Sequence, residues 1–320
     1  MSALIANQYN DDARVVDIKS RELGNCGVTK NEARNTRTVP PRFCLIAMRC
    51  TDMLANRHVS FLSLILVIEC LATSVFAIEV KEPAGASHGY PGLCDSSGKK
   101  IAEGEFRQWV EDHRLNVVIT YRFPNGQSWE EKSRFRQGSE LIQEQWSWKE
   151  LAHGKPQREF SVDFVSGIAT AHVRQGNKDV SDKIHVEPGR TFAGFGFSIA
   201  LSNLRKKLLK GEQLQLKAVG FSPFPTLKPQ VVTVKLSHGG VQRMRMGGRS
   251  IKGDQFIVHP EIPLIAKLFV NVPDTKIWLT NPEPAGFLRW EGPIVLPTDP
   301  MIRVDLISGS SNGPAEPAGS

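Results

Sequence analysis

Apolar residues stand at every second position from Leu115 to Phe123: Leu115, Val117, Ile119, Tyr121 and Phe123, with polar Asn116, Thr120 and Arg122 between them. That alternation predicts a half-buried strand. Pro124-Asn125-Gly126 follows, and Asn-Gly favours a hairpin turn because both residues accept positive φ. Trp129 to Gln137 alternates again, with Trp129 and Phe135 on one face. Leu141 to Lys149 resumes the pattern, and strict alternation puts Ile142, Glu144, Trp146 and Trp148 on a common face. Phe160, Val162 and Phe164 mark a further strand; Ile168 to Arg174 and Lys183 to Val186 continue the series. Gly or Pro breaks the pattern roughly every eight to twelve residues, the spacing of an antiparallel sandwich, barrel or strongly curved sheet.

One helix interrupts the strands. Phe197, Leu201, Leu204 and Leu208 recur at helical spacing, Thr191 is placed to cap the N-terminus, and Gly211 is placed to stop the helix after the basic turn Arg205, Lys206, Lys207 and Lys210. Strands resume with Leu214, Leu216 and Ala218, then Val232, Val234 and Leu236. His238-Gly239-Gly240 reads as a turn, and Phe256 and Val258 as the next strand. The run 262–270 fits either a helix or a strand. Lys276 to Thr280, Phe287 to Trp290 and Met301 to Leu306 close the series. Prolines between these last strands predict edge positions. The expected fold is a single curved antiparallel sheet, a half-barrel or open barrel, with one central amphipathic helix.

Upstream of the strands lies a hydrophobic run, Val59 to Ala77. With Arg57 before it and Val75-Phe76-Ala77 at its end, it has the charge, apolar core and small-residue site of a secretion signal. Read so, Met53 is the true start, residues 53–77 are the signal, and cleavage falls between Ala77 and Ile78. A retained membrane anchor is the rival reading, although the run barely reaches the roughly 20 apolar residues of a span and contains Glu69. Cys70 raises lipid modification, for which Glu69 is a poor preceding residue. Either way the β-rich part is expected outside the cytoplasm, in the periplasm or secreted, with membrane association only if residues 59–77 are retained. Residues 1–52 are polar and lack periodicity, as a disordered extension does. Residues 78–91 read as a linker, 92–307 as the β-rich domain and 308–320 as a flexible tail. Of five cysteines only Cys94 follows the cleavage site, so no internal disulfide forms in the mature part.

The formal charge is +7, but only the 205–210 cluster concentrates it, where cations suit a helix C-terminus. No nucleic-acid module accompanies it, and no nucleic-acid partner is expected. Chemistry is sparse. Gly196-Phe197-Ser198-Ile199-Ala200 approaches the hydrolase elbow, which belongs on a strand-to-helix turn of a parallel sheet rather than in a helix of a β-rich chain. Ser96 and Lys99 have an S-x-x-K spacing without its partner motifs. His113, His153, His172, His185, His238 and His259 are scattered, with no metal-ligand spacing. Catalytic residues, metal and cofactor are therefore all expected to be absent, and a hydrolase ranks third among the functions.

The remaining signal is aromatic. Trp109, Tyr121, Trp129, Trp146, Trp148, Phe160 and Phe164 fall on neighbouring strands. They either fill a core or line a cavity for a lipid or other hydrophobic ligand. Glu144, on the same face as Trp146, favours a cavity, since a lone charge in a dry core is costly. The ending IWLTNPEPAGFLRWEGPI with MIRVDL, and within it Trp278-Leu279 and Leu288-Arg289-Trp290-Glu291-Gly292-Pro293, resembles an uncharacterised family of bacterial exported proteins. More distantly, the layout is similar to the half-barrel of periplasmic lipoprotein and lipid carriers. The resemblance implies a curved antiparallel sheet and hydrophobic cargo, and brings no catalytic residues. The expected function is an exported, non-catalytic binder of a hydrophobic ligand; the alternative is an envelope scaffold that pairs with a protein partner through a sheet edge.

Overall fold

The computed structural model describes residues 77–81, 83–246, 248–262 and 272–306. The hydrophobic run up to Phe76, the upstream extension, the 308–320 tail and nearly all of the ambiguous 262–270 run lie outside the described residues. Within them the chain forms sixteen strands and one helix: β1 (Ser87–Gly89), β2 (Gly92–Asp95), β3 (Lys100–Glu111), β4 (Arg114–Arg122), β5 (Gln127–Gln137), β6 (Leu141–Ala152), β7 (Lys155–Asp163), β8 (Ile168–Val173), β9 (Lys178–Lys183), β10 (Thr191–Phe192), α1 (Gly196–Leu209), β11 (Leu214–Phe221), β12 (Pro229–Met246), β13 (Arg249–Pro260), β14 (Thr275–Asn281), β15 (Phe287–Pro293) and β16 (Met301–Asp305). All belong to one sheet. It runs from β10 through β11 to β16, then β2 through β9, with β1 alongside β3. Every pairing is antiparallel except the short β10–β11 pair. β10 and β9 are the two ends, so the sheet curls without closing.

The period-2 patterns place one face of each strand in a common core. Phe106, Leu115, Val117, Ile119, Tyr121, Trp129, Phe135, Trp146, Trp148, Phe160 and Val162 join Leu236, Phe256 and Ile277 from the far part of the sheet. Phe197, Leu201, Leu204 and Leu208 of α1 enter the same cluster, so the helix fills the concave side. Breaks in register bend the strands, one between Arg134 and Phe135 opposite β6 and another between His238 and Gly240 in β12. Such bulges raise local twist and let a wide sheet curl.

Several expectations are corrected. His238-Gly239-Gly240 is no turn: β12 runs through it as a bulge, with Gly240 at φ +105°. The chain reverses instead after Met246, where Gly248 has φ +78°. The proline-flanked strands β14, β15 and β16 are interior, because Pro282, Pro284, Pro297 and Pro300 stand in the connections and take no ladder donor away. Thr191 does not cap α1; its Oγ1 accepts the Glu187 N–H (2.9 Å), and the residue before the helix, Phe195, makes no side-chain cap. The segment read as a linker is packed: Ile78 is buried, its carbonyl accepts the Leu141 N–H (2.8 Å), and Ser87–Gly89 pairs with β3.

Arg205 departs furthest from its expected role. Rather than standing in solvent at the helix end, it is buried and places Nε and Nη2 on Asp254 Oδ2 (2.9 and 2.6 Å) and Nη1 on Glu283 (2.9 Å). Asn281 Nδ2 donates to the other Asp254 oxygen (2.8 Å). This group bolts α1 to β13 and to the connection after β14.

Candidate functional site

Six strands, β15, β16, β3, β4, β5 and β6, line a cavity of about 80 Å³, with Pro91 added from just before β2. Its walls are Phe106, Tyr121, Trp129, Trp146, Trp148, Phe195, Phe287 and Trp290, with Ile119, Ile302 and Val304 between the rings. The rings touch in series: Trp129 to Trp148 at 5.6 Å, Phe106 to Phe195 at 5.3 Å and Phe195 to Phe287 at 5.3 Å between centroids, all tilted or edge-on. These are favourable aromatic geometries. A water needs roughly 10–15 Å³ of such space, so the cavity takes a group of about five to eight heavy atoms, not a whole lipid.

One carboxyl borders this cavity, and it is Glu131 rather than Glu144. On β5 the inward positions are Trp129, Glu131, Ser133 and Phe135, and Glu131 sits opposite Ile119 on β4 and Trp148 on β6. Its Oε1 accepts two hydrogen bonds, from Trp146 Nε1 (2.9 Å) and from the Phe195 backbone N–H (2.7 Å). The second bond ties the connection between β10 and α1 to the sheet at β5. Gly194 makes this approach possible. It has φ +50°, and a Cβ there would collide with Glu131 Oε1 and Trp146 Nε1, so both its backbone and its lack of a side chain are required. Among the described residues no cation pairs with Glu131.

Burial in this apolar setting holds the Glu131 carboxyl above the ordinary carboxylate range, against the two hydrogen bonds, which favour the charged form. Burial and the Glu131 charge likewise push the nearby Tyr121 hydroxyl far up, so it stays protonated. The consequence for stability follows from linkage. Below the unfolded-state value near 4.5 both states carry the Glu131 proton and its effect is nil. As pH rises above that, the unfolded chain ionises first, so the native state loses stability until pH passes the raised native value. Glu131→Gln is therefore expected to lose less stability than wild type over this rise and to be the more stable form at neutral pH. Denaturant titrations at a series of pH values read this directly; parallel curves for the two proteins would refute it.

The eight residues singled out by pattern thus separate. Tyr121, Trp129, Trp146 and Trp148 border the cavity. Phe160 and Phe164 are buried in the core beside it, Phe160 against Phe221 (5.0 Å) and Trp148 (6.1 Å). Trp109 faces outward at 38% exposure and donates to Glu111. Its register partner is Asn116, and the inward residues of β3 are the even-numbered Ala102 and Phe106. Glu144 also faces away, because it is the extra residue of the β6 bulge: Phe135 pairs with Gln143 and Arg134 with Gln145. The bulge brings Leu141 and Gln143 onto the same face as Trp146 and Trp148 and turns Glu144 outward onto Arg114 (2.8 Å), Arg134 (3.4 Å) and Arg136 (3.7 Å). Gln143 instead clamps the approach to α1, with Oε1 accepting the Ala193 N–H (2.8 Å) and Nε2 donating to the Ala193 carbonyl (3.2 Å).

Among the described residues the nucleophiles considered from sequence are not matched to a general base. Ser198 lies buried in the first turn of α1, and its Oγ makes no hydrogen bond. Ser96 sits in the β2–β3 turn, which is organised by Asp95 accepting from Ser97 and Lys99. Cys94 is a buried free thiol whose ionisation burial pushes up, against the neighbouring Arg303, which favours the thiolate. Among the described residues, no three His, Cys, Asp or Glu side chains converge as a metal site would need, and no helix is long and apolar enough to cross a membrane.

No protein-family model and no curated protein matches the chain. Among solved structures it is similar to a β-barrel-like protein of domain of unknown function DUF1849 from Brucella abortus, at 9% identity and a TM-score of 0.40, over 70% of this chain and 96% of that one.

Proposed function

We propose that the chain is an exported, non-catalytic β protein that binds a small hydrophobic ligand, or the small end of a larger one, in the cavity between β3–β6, β15 and β16. The observation that supports this reading is the void itself. Eight aromatic side chains converge there without filling the space, whereas protein interiors otherwise pack as densely as organic crystals. The indole nitrogen of Trp129, a cavity-lining residue only 6% exposed, has no hydrogen-bond partner among the described residues. A buried donor left unmade costs about 1–3 kcal/mol, and a ligand with an acceptor group would relieve it. Export rests on the hydrophobic run before Ile78.

Pairing with a protein partner through a sheet edge finds less support. The end strand β9 carries Lys178, Asp179, Asp182 and Lys183, and charged edges discourage strand addition. The opposite end, β10, has only two residues.

A small apolar fluorophore is expected to brighten on mixing with wild type and to stay dim with Val304→Phe, which fills the cavity from β16. Native mass spectrometry of protein from an envelope fraction is expected to show a co-purifying small molecule. Equal brightening by both proteins, with no bound mass, would overturn the reading.

A further inference from the structure

We propose that the cavity receives the head of a small organic cation, an alkyl- or quaternary ammonium group next to a hydroxyl or carbonyl oxygen, with Glu131 as its counter-ion. This rests on the reading of the cavity as a ligand site and narrows the ligand class. Three observations lead to it.

The first is a half-made ion pair. Glu131 Oε1 is held by two converging donors, Trp146 Nε1 and Phe195 N–H, while among the described residues none donates to Oε2. Donors that fix a carboxylate oxygen stabilise the anion; what the site lacks is the positive charge. A carboxylate drawn half-buried into an apolar wall is costly without a positive partner. The second is the wall. Indole, phenol and phenyl faces attract cations through their negative quadrupoles, most strongly when water is excluded. The fold already uses one of these rings in this way: the Arg158 guanidinium stands 5.1 Å from the centroid of Trp148 and is itself held by Glu150 and Asp299. The third is Trp129, a ring on the cavity wall whose Nε1–H finds no partner among the described residues and so is left to take an oxygen of the same ligand. The size agrees, since about 80 Å³ suits roughly five to eight heavy atoms.

The groups around Glu131 are few. Tyr121 approaches from β4 and stays neutral; Trp146 and Trp148 approach from β6, and Gly194 and Phe195 from the connection before α1. Phe106 on β3 and Phe287, Trp290, Ile302 and Val304 on β15 and β16 bring no charge. Arg158 is committed to Glu150 and Asp299. A cation binds the ionised carboxyl, so below the raised native value binding must expel the Glu131 proton. Affinity then climbs with pH and levels off once Glu131 is ionised in the free protein.

The test compares choline with its uncharged isostere, 3,3-dimethylbutan-1-ol, by isothermal titration calorimetry on the purified chain in buffers of differing ionisation enthalpy. Choline is expected to bind at least about tenfold tighter, within the range of a desolvated cation–aromatic contact, with proton release at acidic pH. In Glu131→Gln, shown to be folded by its melting curve, that preference is expected to vanish. Equal affinity of the two probes for wild type, or a preference that survives Glu131→Gln, would overturn the cation inference and leave the hydrophobic site standing. Binding of neither probe, together with failure of the apolar fluorophore, would remove both.

Discussion

Replacing Arg205 by Met is expected to destabilise the protein by about 3–5 kcal/mol, the usual cost of orphaning one member of a buried ion pair. Arg205 is 6% exposed and Asp254 is 0% exposed. Without the guanidinium, Asp254 Oδ2 loses both of the donors it has from Arg205, while Asn281 serves only Oδ1. His238 Nε2 stands 3.8 Å from that same Oδ1, too far to take over. Glu283, at the other end of the guanidinium, is more exposed and can rehydrate. The loss therefore comes mainly from Asp254. A second variant separates the origin of the effect from mere loss of packing. Adding Asp254→Leu to Arg205→Met removes the stranded carboxylate, and the double variant is expected to be more stable than Arg205→Met alone. Urea midpoints for the wild type, both single variants and the double variant decide it. Additive losses would show that side-chain volume, not the uncompensated charge, sets the cost.

Phe160→Ala is expected to lose about 3–5 kcal/mol through a cavity that the surrounding strands cannot close. Its ring is fully buried between Trp148 and Phe221, joining the β6–β7 wall to β11 across the curled sheet. For a domain of this size each kcal/mol lowers Tm by roughly 2–4 °C, so a fall of about 6–20 °C should appear in a melting curve. Trp109→Ala removes a larger aromatic group yet is expected to change stability by no more than about 0.5 kcal/mol, as surface substitutions do. Both residues belong to the same aromatic inventory in the sequence. If the two variants melted alike, the inward and outward assignment of β3 and β7 would be wrong.

The strand pattern was legible because it is local. Alternation at Leu115 to Tyr121 and the Asn125-Gly126 turn place β4 and β5 without reference to the rest of the chain, and the leucine spacing places α1. The site was legible only in half. Counting by twos from Trp129 reaches Glu131, so its inward position was within reach of the alternation rule. The same rule points to Glu144 if β6 is assumed regular, and that assumption fails by one residue. A bulge shifts the side-chain parity of everything after it, and it is set by pairing with β5, not by any residue type in β6. Arg205 was misjudged for a related reason: a basic last turn is the ordinary end of a surface helix, and its partners lie 49 and 78 residues away.

What the amino-acid order determined by itself is the class of structure: short-range periodicity and turn chemistry require a curved antiparallel sheet with one helix inside it. What only the tertiary structure decided is which charges face inward. Among the described residues the carboxyl of Glu131 pairs with no cation, Glu144 is covered by three arginines on the opposite face, and Arg205 closes a pair with Asp254. Each of these depends on register and on the curl of the sheet, which bring together residues that no local pattern relates.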